Sequence, residues 1–582
     1  MKKYLKNMKY WQAGIYLLLG AILLANCEDK VLDKTPRSSF SDVIVWTDPA
    51  LVKMFVVSIY NGQEGITMGG VGLGNDWIGM RSLPGIGCGE AFDHQGDLNT
   101  FPMVMGTVTP DYMESNRSCW GMTWWNKYRY IRKCNLFLSK IQDVPMHENE
   151  KNILIGEVRF LRAKFYFDLI KYWGGVPLLE DPFELDDDFV VPRTPYETIV
   201  DWIVKECDTA QTLLPIVRTT SEWGRVHQGA CLALKARTLL YANSKLHKPS
   251  STPNGPLYTY SKNTWQEVSN ACEAIINMPY YSLKEVNTYM DYHQIFIEPN
   301  AEMIWVKPYS SEYYTGNQMG WRLELSHSSP GFNGWGMNVP THNIVQKYQM
   351  ANGKNIDDPD SGYDPSPNNI YKNREMRFYA NFLFQGADYK GRKMEYYLPG
   401  GADSKDSSQP WNASPTGYNL RKHIDESINI ETEVSSTPWA IFRLAEIYLI
   451  YAEAEYMLGN ESKARVYLNK VRTRVHLPEI NSTGEELFKD IQHEREVELV
   501  YEHHRFFDVR RWMIAEETEK INITGLEWQK VDESGNLNIN GILKYKLVTN
   551  IERDFPPRLY YLPIPASEIQ KTGGLMEQNA GY

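Results

Sequence analysis

The chain has 582 residues and a formal net charge of −11; hydrophobic residues make up 42% of it and aromatic residues 13%. The excess of acidic side chains disfavours binding to the phosphate backbone of nucleic acids, so we expect no nucleic-acid partner. The hydrophobic content is enough for a large buried core, and the 37 tyrosines and 17 tryptophans can either pack there or bind ligands.

The first residues have the pattern of a secretory signal peptide. Four lysines precede an apolar run at 15–24, and the run ends at Leu24-Ala25-Asn26-Cys27. A run this short cannot span a bilayer, which takes roughly 20 apolar residues. The cysteine at the cleavage site predicts a lipoprotein signal over residues 1–26, with lipid attached to Cys27 as the first mature residue. An ordinary signal peptide with an incidental cysteine is the alternative.

Removal of the signal peptide changes the charge of the protein. It removes four lysines and no acidic residue, so the mature chain would carry a net charge of −15. Charge therefore disfavours contact with an anionic membrane, and attachment must come from acyl chains. Two or more acyl chains anchor a protein stably, whereas a single chain binds only marginally.

Helical periodicity dominates the middle and the C-terminal part of the chain. Apolar residues recur every three or four positions over about 148–173, and Gly174-Gly175 follows, which predicts an amphipathic helix and its end. Similar patterns predict further helices at about 195–214, 227–246, 264–277, 437–458 and 461–475. We expect a mainly α scaffold of helix pairs, with large insertions that break any regular repeat. The segment 351–436 is polar and predicts long surface loops with a few strands.

Two glycine-rich stretches carry the candidate ligand-binding residues. Residues 69–98 contain nine glycines, and residues 305–337 contain five glycines and seven aromatic side chains. Sugar rings stack on tryptophan and tyrosine, and sugar hydroxyls bind planar polar groups. Any single ring can instead be a half-buried packing residue. The candidates from the two stretches are Asn75, Asp76, Trp77, Arg81, Tyr313, Tyr314, Trp321 and Trp335.

Motifs for catalysis or for metal binding are weak. The six cysteines after Cys27 include no C-x-x-C pair, and buried free thiols are expected, although an exported protein could pair some of them. His493-Glu494-Arg495-Glu496-Val497 departs from the zinc motif H-E-x-x-H at its last position. The charged residues Arg495, Glu498, Glu502, Arg505 and Asp508 are expected to form ion pairs. We predict no catalytic residue, no metal and no cofactor.

Four segments together resemble the SusD/RagB family of surface nutrient-binding lipoproteins of Bacteroidetes. The first is EVRFLRAKFYFDL at 157–169, which runs into WGGVPL at 173–178. The second is RLAEIYLIYAEA at 443–454. The third and fourth segments are HEREVEL with RFFDVRRW at 493–512, and YLPIP with the terminal QNAGY at 561–582. The segments follow one another in the family's order.

The resemblance implies a fold, a location and a partner. It implies a SusD-like α-helical scaffold of four tetratricopeptide-like helix pairs, with a loop-rich face and a few short strands. Residues 27–582 would form one domain, with an N-terminal part at 27–290 and a C-terminal SusD/RagB part at 291–582. The protein would be lipid-anchored in the outer membrane, facing the cell exterior. It would bind an oligosaccharide or polysaccharide ligand and deliver oligosaccharides to a SusC-like TonB-dependent transporter.

Three other functions stay open on the sequence alone. Some members of the family look like peptide importers, so the same scaffold could bind peptides. A lipid-anchored glycosidase would need a pair of carboxylates in a cleft, and no motif indicates such a pair. A pure assembly scaffold would bind no small ligand.

Overall fold

A computed structural model describes residues 42–62, 83–93, 100–115, 122–184, 187, 190–311 and 323–582. Cys27 and Cys119 lie outside the described residues. So do seven of the eight candidate ligand-binding residues, namely Asn75, Asp76, Trp77, Arg81, Tyr313, Tyr314 and Trp321. Trp335 lies within them.

Eight helices pack against one another in chain order and form the scaffold. We label them α1 to α8: Met122–Lys140, Glu148–Trp173, Tyr196–Leu213, Gln228–Asn243, Trp265–Ile276, Leu444–Met457, Glu461–Arg474 and Gly484–Glu498. Helix α5 packs directly on α6 although residues 277–443 separate them in the sequence. The eight helices therefore form one continuous array, and the insertion 277–443 leaves the array after α5 and returns to it at α6. The mainly α fold predicted from the sequence is confirmed.

Helix α2 packs against α1, α3 and the helix Pro49–Tyr60 and is buried on almost every side. It begins after His147, whose ring accepts a hydrogen bond from the Asn149 amide, and it ends at Gly174, which has a φ of 71°. Its polar side chains are buried with partners: Asp168 accepts a hydrogen bond from Lys164 at 2.6 Å and pairs with Lys127 at 3.1 Å. Burying an unpaired charge costs folding free energy, and these ion pairs offset that cost.

The prediction of a helix from about 437 is wrong at its start. Strand β1, Met303–Lys307, pairs antiparallel with strand β2, Trp439–Arg443, and α6 begins only at Leu444. Trp305, one of the seven aromatic residues of the glycine-rich stretch 305–337, lies in β1, is 1% exposed, and packs edge-on against Phe160 of α2. Strand pairing over this sequence distance ties the insertion to the helix array.

The prediction that 351–436 forms surface loops is wrong in part, because much of this segment is buried. Its aromatic side chains build a second hydrophobic core that includes Tyr371, Phe378, Phe382 and Tyr418 and that packs against Trp528. Trp528 belongs to a long hairpin of strand β3, Ile523–Val531, and strand β4, Ile542–Ile551. Because the segment is rich in polar residues, its sequence did not indicate this core.

Of the remaining α-helices, Pro49–Tyr60 has 12 residues and the others have seven or fewer, and each remaining strand has two residues. The other α-helices are Asp42–Val45, Pro49–Tyr60, Leu83–Gly87, Phe101–Val104, Pro110–Ser115, Tyr289–Gln294, Leu323–His327, His342–Val345, Met376–Asn381, Arg505–Arg511, Ala515–Thr518 and Ala566–Lys571. The other strands are two-residue pairings: Ala91–Phe92 with Val339–Pro340, Phe382–Leu383 with Asn419–Leu420, and Asp388–Tyr389 with Arg392–Lys393.

A buried ion-pair network joins the helix array to the second core. Arg443 pairs with Glu302 at 2.9 Å, with Glu498 at 2.7 Å and with Glu502 at 2.6 Å. Glu498 also pairs with Arg377 and Arg474. Burial would raise the pKa of Glu498, but the three arginines hold that pKa well below its usual range.

The other charged residues of this sequence motif are paired as well. Arg495 pairs with Asp508 at 3.0 Å and Arg505 with Glu496 at 3.3 Å, which confirms the prediction that these charges form ion pairs.

Two further observations concern the cysteines and the membrane. The five described cysteines after Cys27, which are Cys88, Cys134, Cys207, Cys231 and Cys272, are buried free thiols, as predicted. Burial raises the pKa of each of these thiols, which keeps them protonated. Among the described helices, none combines the length and the apolar character that crossing a bilayer requires.

Candidate ligand-binding face

Trp335 lies in a tightly folded loop that packs back onto the short helix Leu323–His327. The backbone amide of Trp335 donates to the carbonyl oxygen of Leu325 at 2.8 Å, and the amide of Gly336 donates to that of Ser328 at 2.9 Å. A Cβ atom at Gly334 would lie 2.2 Å from the Ser328 carbonyl oxygen, so only glycine allows this approach. The Trp335 side chain is half-buried and packs on Met337.

A second tryptophan, which sequence reasoning missed, lies beside this loop. Trp411 is in the 3₁₀ turn Pro410–Asn412 and is 68% exposed, more than any other described tryptophan. The side-chain amide of its neighbour Asn412 donates to the carbonyl oxygen of Gly334, the residue before Trp335, at 3.0 Å. This hydrogen bond brings two loops that are far apart in the sequence together, each with a tryptophan next to the contact. The one available signal was a tryptophan in an otherwise polar segment.

A buried carboxylate stabilises the same loop region through hydrogen bonds. Asp403 is fully buried and binds Arg392 through two hydrogen bonds, at 2.7 and 2.8 Å, and it also accepts from the Ser329 hydroxyl. These hydrogen bonds raise the pKa of Arg392, which stays charged. The Arg392 guanidinium lies 4.0 Å from the centre of the Phe332 ring. The Phe332 ring also makes a T-shaped contact with Tyr389, with the ring centres 4.9 Å apart.

Polar planar groups accompany the rings. Asn333 has a left-handed backbone with a φ of 59°, and its exposed side chain donates to the Glu431 carboxylate at 2.5 Å. We call the surface formed by Phe332, Asn333, Trp335, Arg392 and Trp411 the tryptophan face. It combines exposed or half-exposed rings with an amide and a guanidinium, the groups that stack on sugar rings and bind hydroxyls. Within the part of the chain that the structure describes, no cluster of three or more His, Cys, Asp or Glu side chains could hold a metal ion.

Two family models match the chain. The model described as the SusD family matches residues 301–582, and the model described as starch-binding and associating with the outer membrane, a SusD-like model, matches residues 92–240. The chain belongs to the SusD/RagB family. The helix array and the second core are therefore the SusD-like scaffold that the sequence motifs indicated.

Known SusD-like proteins resemble the chain over most of its length. A SusD-like protein of Bacteroides ovatus is 24% identical over 97% of this chain and 96% of its own. A crystal structure of a SusD-like protein of Bacteroides fragilis is 28% identical, with a TM-score of 0.76 over 94% of this chain and all of that one. A second B. fragilis structure, of a protein named a SusD-like carbohydrate-binding protein, is 25% identical, with a TM-score of 0.73 over 91% and 99% of the two chains.

Proposed function

We propose that this protein binds glycans at the cell surface without cleaving them and passes oligosaccharides to a SusC-like TonB-dependent transporter. Membership of the SusD/RagB family supports the proposal. So does the similarity to the B. fragilis protein that is named as carbohydrate-binding. The observation that carries it is the 68% exposure of Trp411 on a loop that is fastened to the loop of Trp335.

The tryptophan face suits capture better than turnover. An exposed indole offers a flat apolar surface to the C–H face of a sugar, and Asn333 and Arg392 add planar hydrogen-bonding groups beside it. A face of this kind leaves one side of the ligand in water, so the bound sugar keeps part of its hydration. We therefore expect weak binding that raises the local concentration of ligand and still permits release. Trp77, Trp321 and the other candidates outside the described residues remain proposed contacts.

The location is part of the proposal. A lipid at Cys27 would hold the protein on the outer membrane, in keeping with the description of the family model that matches residues 92–240. Anionic lipid headgroups would not attract the acidic mature chain, so the acyl chains would supply the attachment to the membrane. The transporter partner is inferred from the family alone.

Affinity electrophoresis tests the binding function. The protein starting after Cys27 is run in native gels that contain soluble starch, laminarin, xylan or pectin, beside bovine serum albumin as a non-binding control. Retardation by at least one polysaccharide is expected. If none retards the protein and a peptide library binds in titration calorimetry, the function is peptide capture. The appearance of new reducing ends on incubation would show a glycosidase and overturn the proposal.

A further inference from the structure

A cavity lies away from the tryptophan face and is lined by residues of both hydrophobic cores, such as Cys88 and Ile344. Its volume is about 480 Å³, within the range of small-molecule sites. It is lined by the segment Cys88–Glu90, by His342 and its neighbours, by His493 and Glu496 of α8, and by Arg505, Glu519 and Arg553. None of the five residues of the tryptophan face lines it.

Three residues of the cavity wall have a buried polar atom without a hydrogen-bond partner among the described residues. These atoms are Oε1 of Glu90, Nε2 of His493 and Nε of Arg553. Glu90 is 1% exposed and is held in place, because its other carboxylate oxygen accepts from the Tyr501 amide and its carbonyl oxygen accepts from the Tyr501 hydroxyl. An unpaired buried polar group is costly, and three around one cavity indicate an occupant that bonds to them.

The charges around the cavity are already balanced. Arg505 pairs with Glu496 at 3.3 Å, and Arg553 pairs with Glu519. Lys347 and Asp357 lie exposed at the rim. An anion would meet the carboxylates of Glu496 and Glu519, and a cation would meet the guanidinium groups of Arg505 and Arg553. Neither sign of charge is therefore favoured.

The remaining groups are uncharged at neutral pH. Burial raises the pKa of Glu90 to about 8, and it lowers the pKa of His342 to about 4 and that of His493 below its usual value. A protonated carboxyl group and neutral imidazole rings both donate and accept hydrogen bonds. A hydroxyl group also donates and accepts. It can therefore bond to Glu90 Oε1 and to His493 Nε2 whether or not that atom carries a proton, and it can accept from Arg553 Nε.

We propose that this cavity binds a small neutral polyhydroxylated molecule of monosaccharide size, through Glu90, His493 and Arg553. The site is separate from the tryptophan face and does not depend on the proposed glycan-capture function. It would recognise the hydroxyl groups of a single sugar or polyol, whereas the face would stack a longer chain.

Saturation-transfer NMR on the protein starting after Cys27 tests this site. The probes are methyl α-D-glucopyranoside, methyl β-D-galactopyranoside and myo-inositol, with inorganic phosphate and putrescine as charged comparators. At least one neutral probe is expected to show transfer that a second neutral probe competes away. His493→Phe removes the unpaired nitrogen and fills space, and should reduce the transfer at least tenfold, as should Glu90→Leu. Gln266→Ala, at an exposed amide outside both sites, should leave it unchanged.

Several results would overturn the inference. They are the absence of transfer from all three neutral probes, stronger binding of phosphate or putrescine, or transfer that survives both cavity variants. Loss of the transfer in Trp411→Ala would place the monosaccharide on the tryptophan face instead. If either variant unfolds, a crystal soaked with the best probe decides, since density for a sugar ring beside Glu90 is required and a cavity filled by water alone contradicts the proposal.

Discussion

The side-chain amide of Asn412 donates to the carbonyl oxygen of Gly334 at 3.0 Å and so fastens the loop of Trp411 to the loop of Trp335. Asn412 is buried, and its amide also bonds to Gln409 at 2.8 Å. The Asn412 side chain therefore helps to fix the relative position of the two tryptophans, and in these hydrogen bonds it touches neither ring.

Replacement of Asn412 by alanine should weaken ligand binding at the tryptophan face more than it destabilises the fold. Asn412→Ala removes both hydrogen bonds and leaves the Gly334 carbonyl oxygen without this partner, which costs about 1–2 kcal/mol in the free energy of unfolding. Affinity for the best polysaccharide should fall several-fold. Gln266→Ala, at an exposed amide on α5, is the control and should change neither quantity. Full affinity in Asn412→Ala, measured by titration calorimetry, would show that the coupling of the two loops is irrelevant to binding.

The buried ion-pair network should be far more sensitive than surface pairs. Arg443→Met leaves Glu302, Glu498 and Glu502 without their shared partner and should lower the free energy of unfolding by about 3–5 kcal/mol. Lys489→Met removes an exposed pair with Glu486 and should cost less than about 1 kcal/mol. Urea unfolding followed by circular dichroism measures both. Equal losses in the two variants would contradict the role given to burial.

Stability should depend on pH through Glu90. Its pKa is about 8 in the folded protein and near 4.3 in the unfolded chain, because burial disfavours the charged form. The contribution of this group to stability is complete below pH 4.3 and is lost as the pH rises through 8. Glu90→Gln should therefore become more stable relative to the parent between pH 5 and pH 9. The unfolding free energies of both proteins at these two pH values give the comparison, and an unchanged difference would mean that Glu90 is solvated.

Lipid attachment predicts where the protein is found. In cells that express the full chain, Cys27→Ser should shift the protein from the membrane fraction to the soluble fraction and abolish incorporation of labelled palmitate. Cys207→Ser, at a buried thiol, is the matched control and should leave both unchanged. A Cys27→Ser protein that stays in the membrane fraction would show that another segment anchors it.

The helix array was predictable because it rests on local periodicity. The residues of α2 and α7 carry apolar positions at helical spacing, and Gly174 and Gly459 mark their boundaries on the chain. Strand β2 was not predictable in this way, because its partner β1 lies more than 100 residues away and the strand runs straight into α6. Register with a distant strand leaves no local pattern.

The sites were harder to predict than the scaffold. Trp411 stands in a segment of aspartate, asparagine, serine and proline, and nothing local decides whether its ring faces solvent or the core. The cavity takes its wall from several separate parts of the chain, so Glu90, His493 and Arg553 meet only through the tertiary fold. The ion pairs of the α8 region, in contrast, followed from charge spacing, although the partners of Glu498 did not.

Titration calorimetry of Trp411→Ala tests the central claim most directly. The protein starting after Cys27 is titrated with oligosaccharides of the best polysaccharide from affinity electrophoresis, and Tyr280→Ala, at an aromatic residue that is 48% exposed outside the tryptophan face, serves as the control. Trp411→Ala should lose at least tenfold in affinity, about 1.4 kcal/mol, with its unfolding free energy unchanged, and Tyr280→Ala should bind normally. Equal affinities in all three proteins would contradict glycan capture by this face.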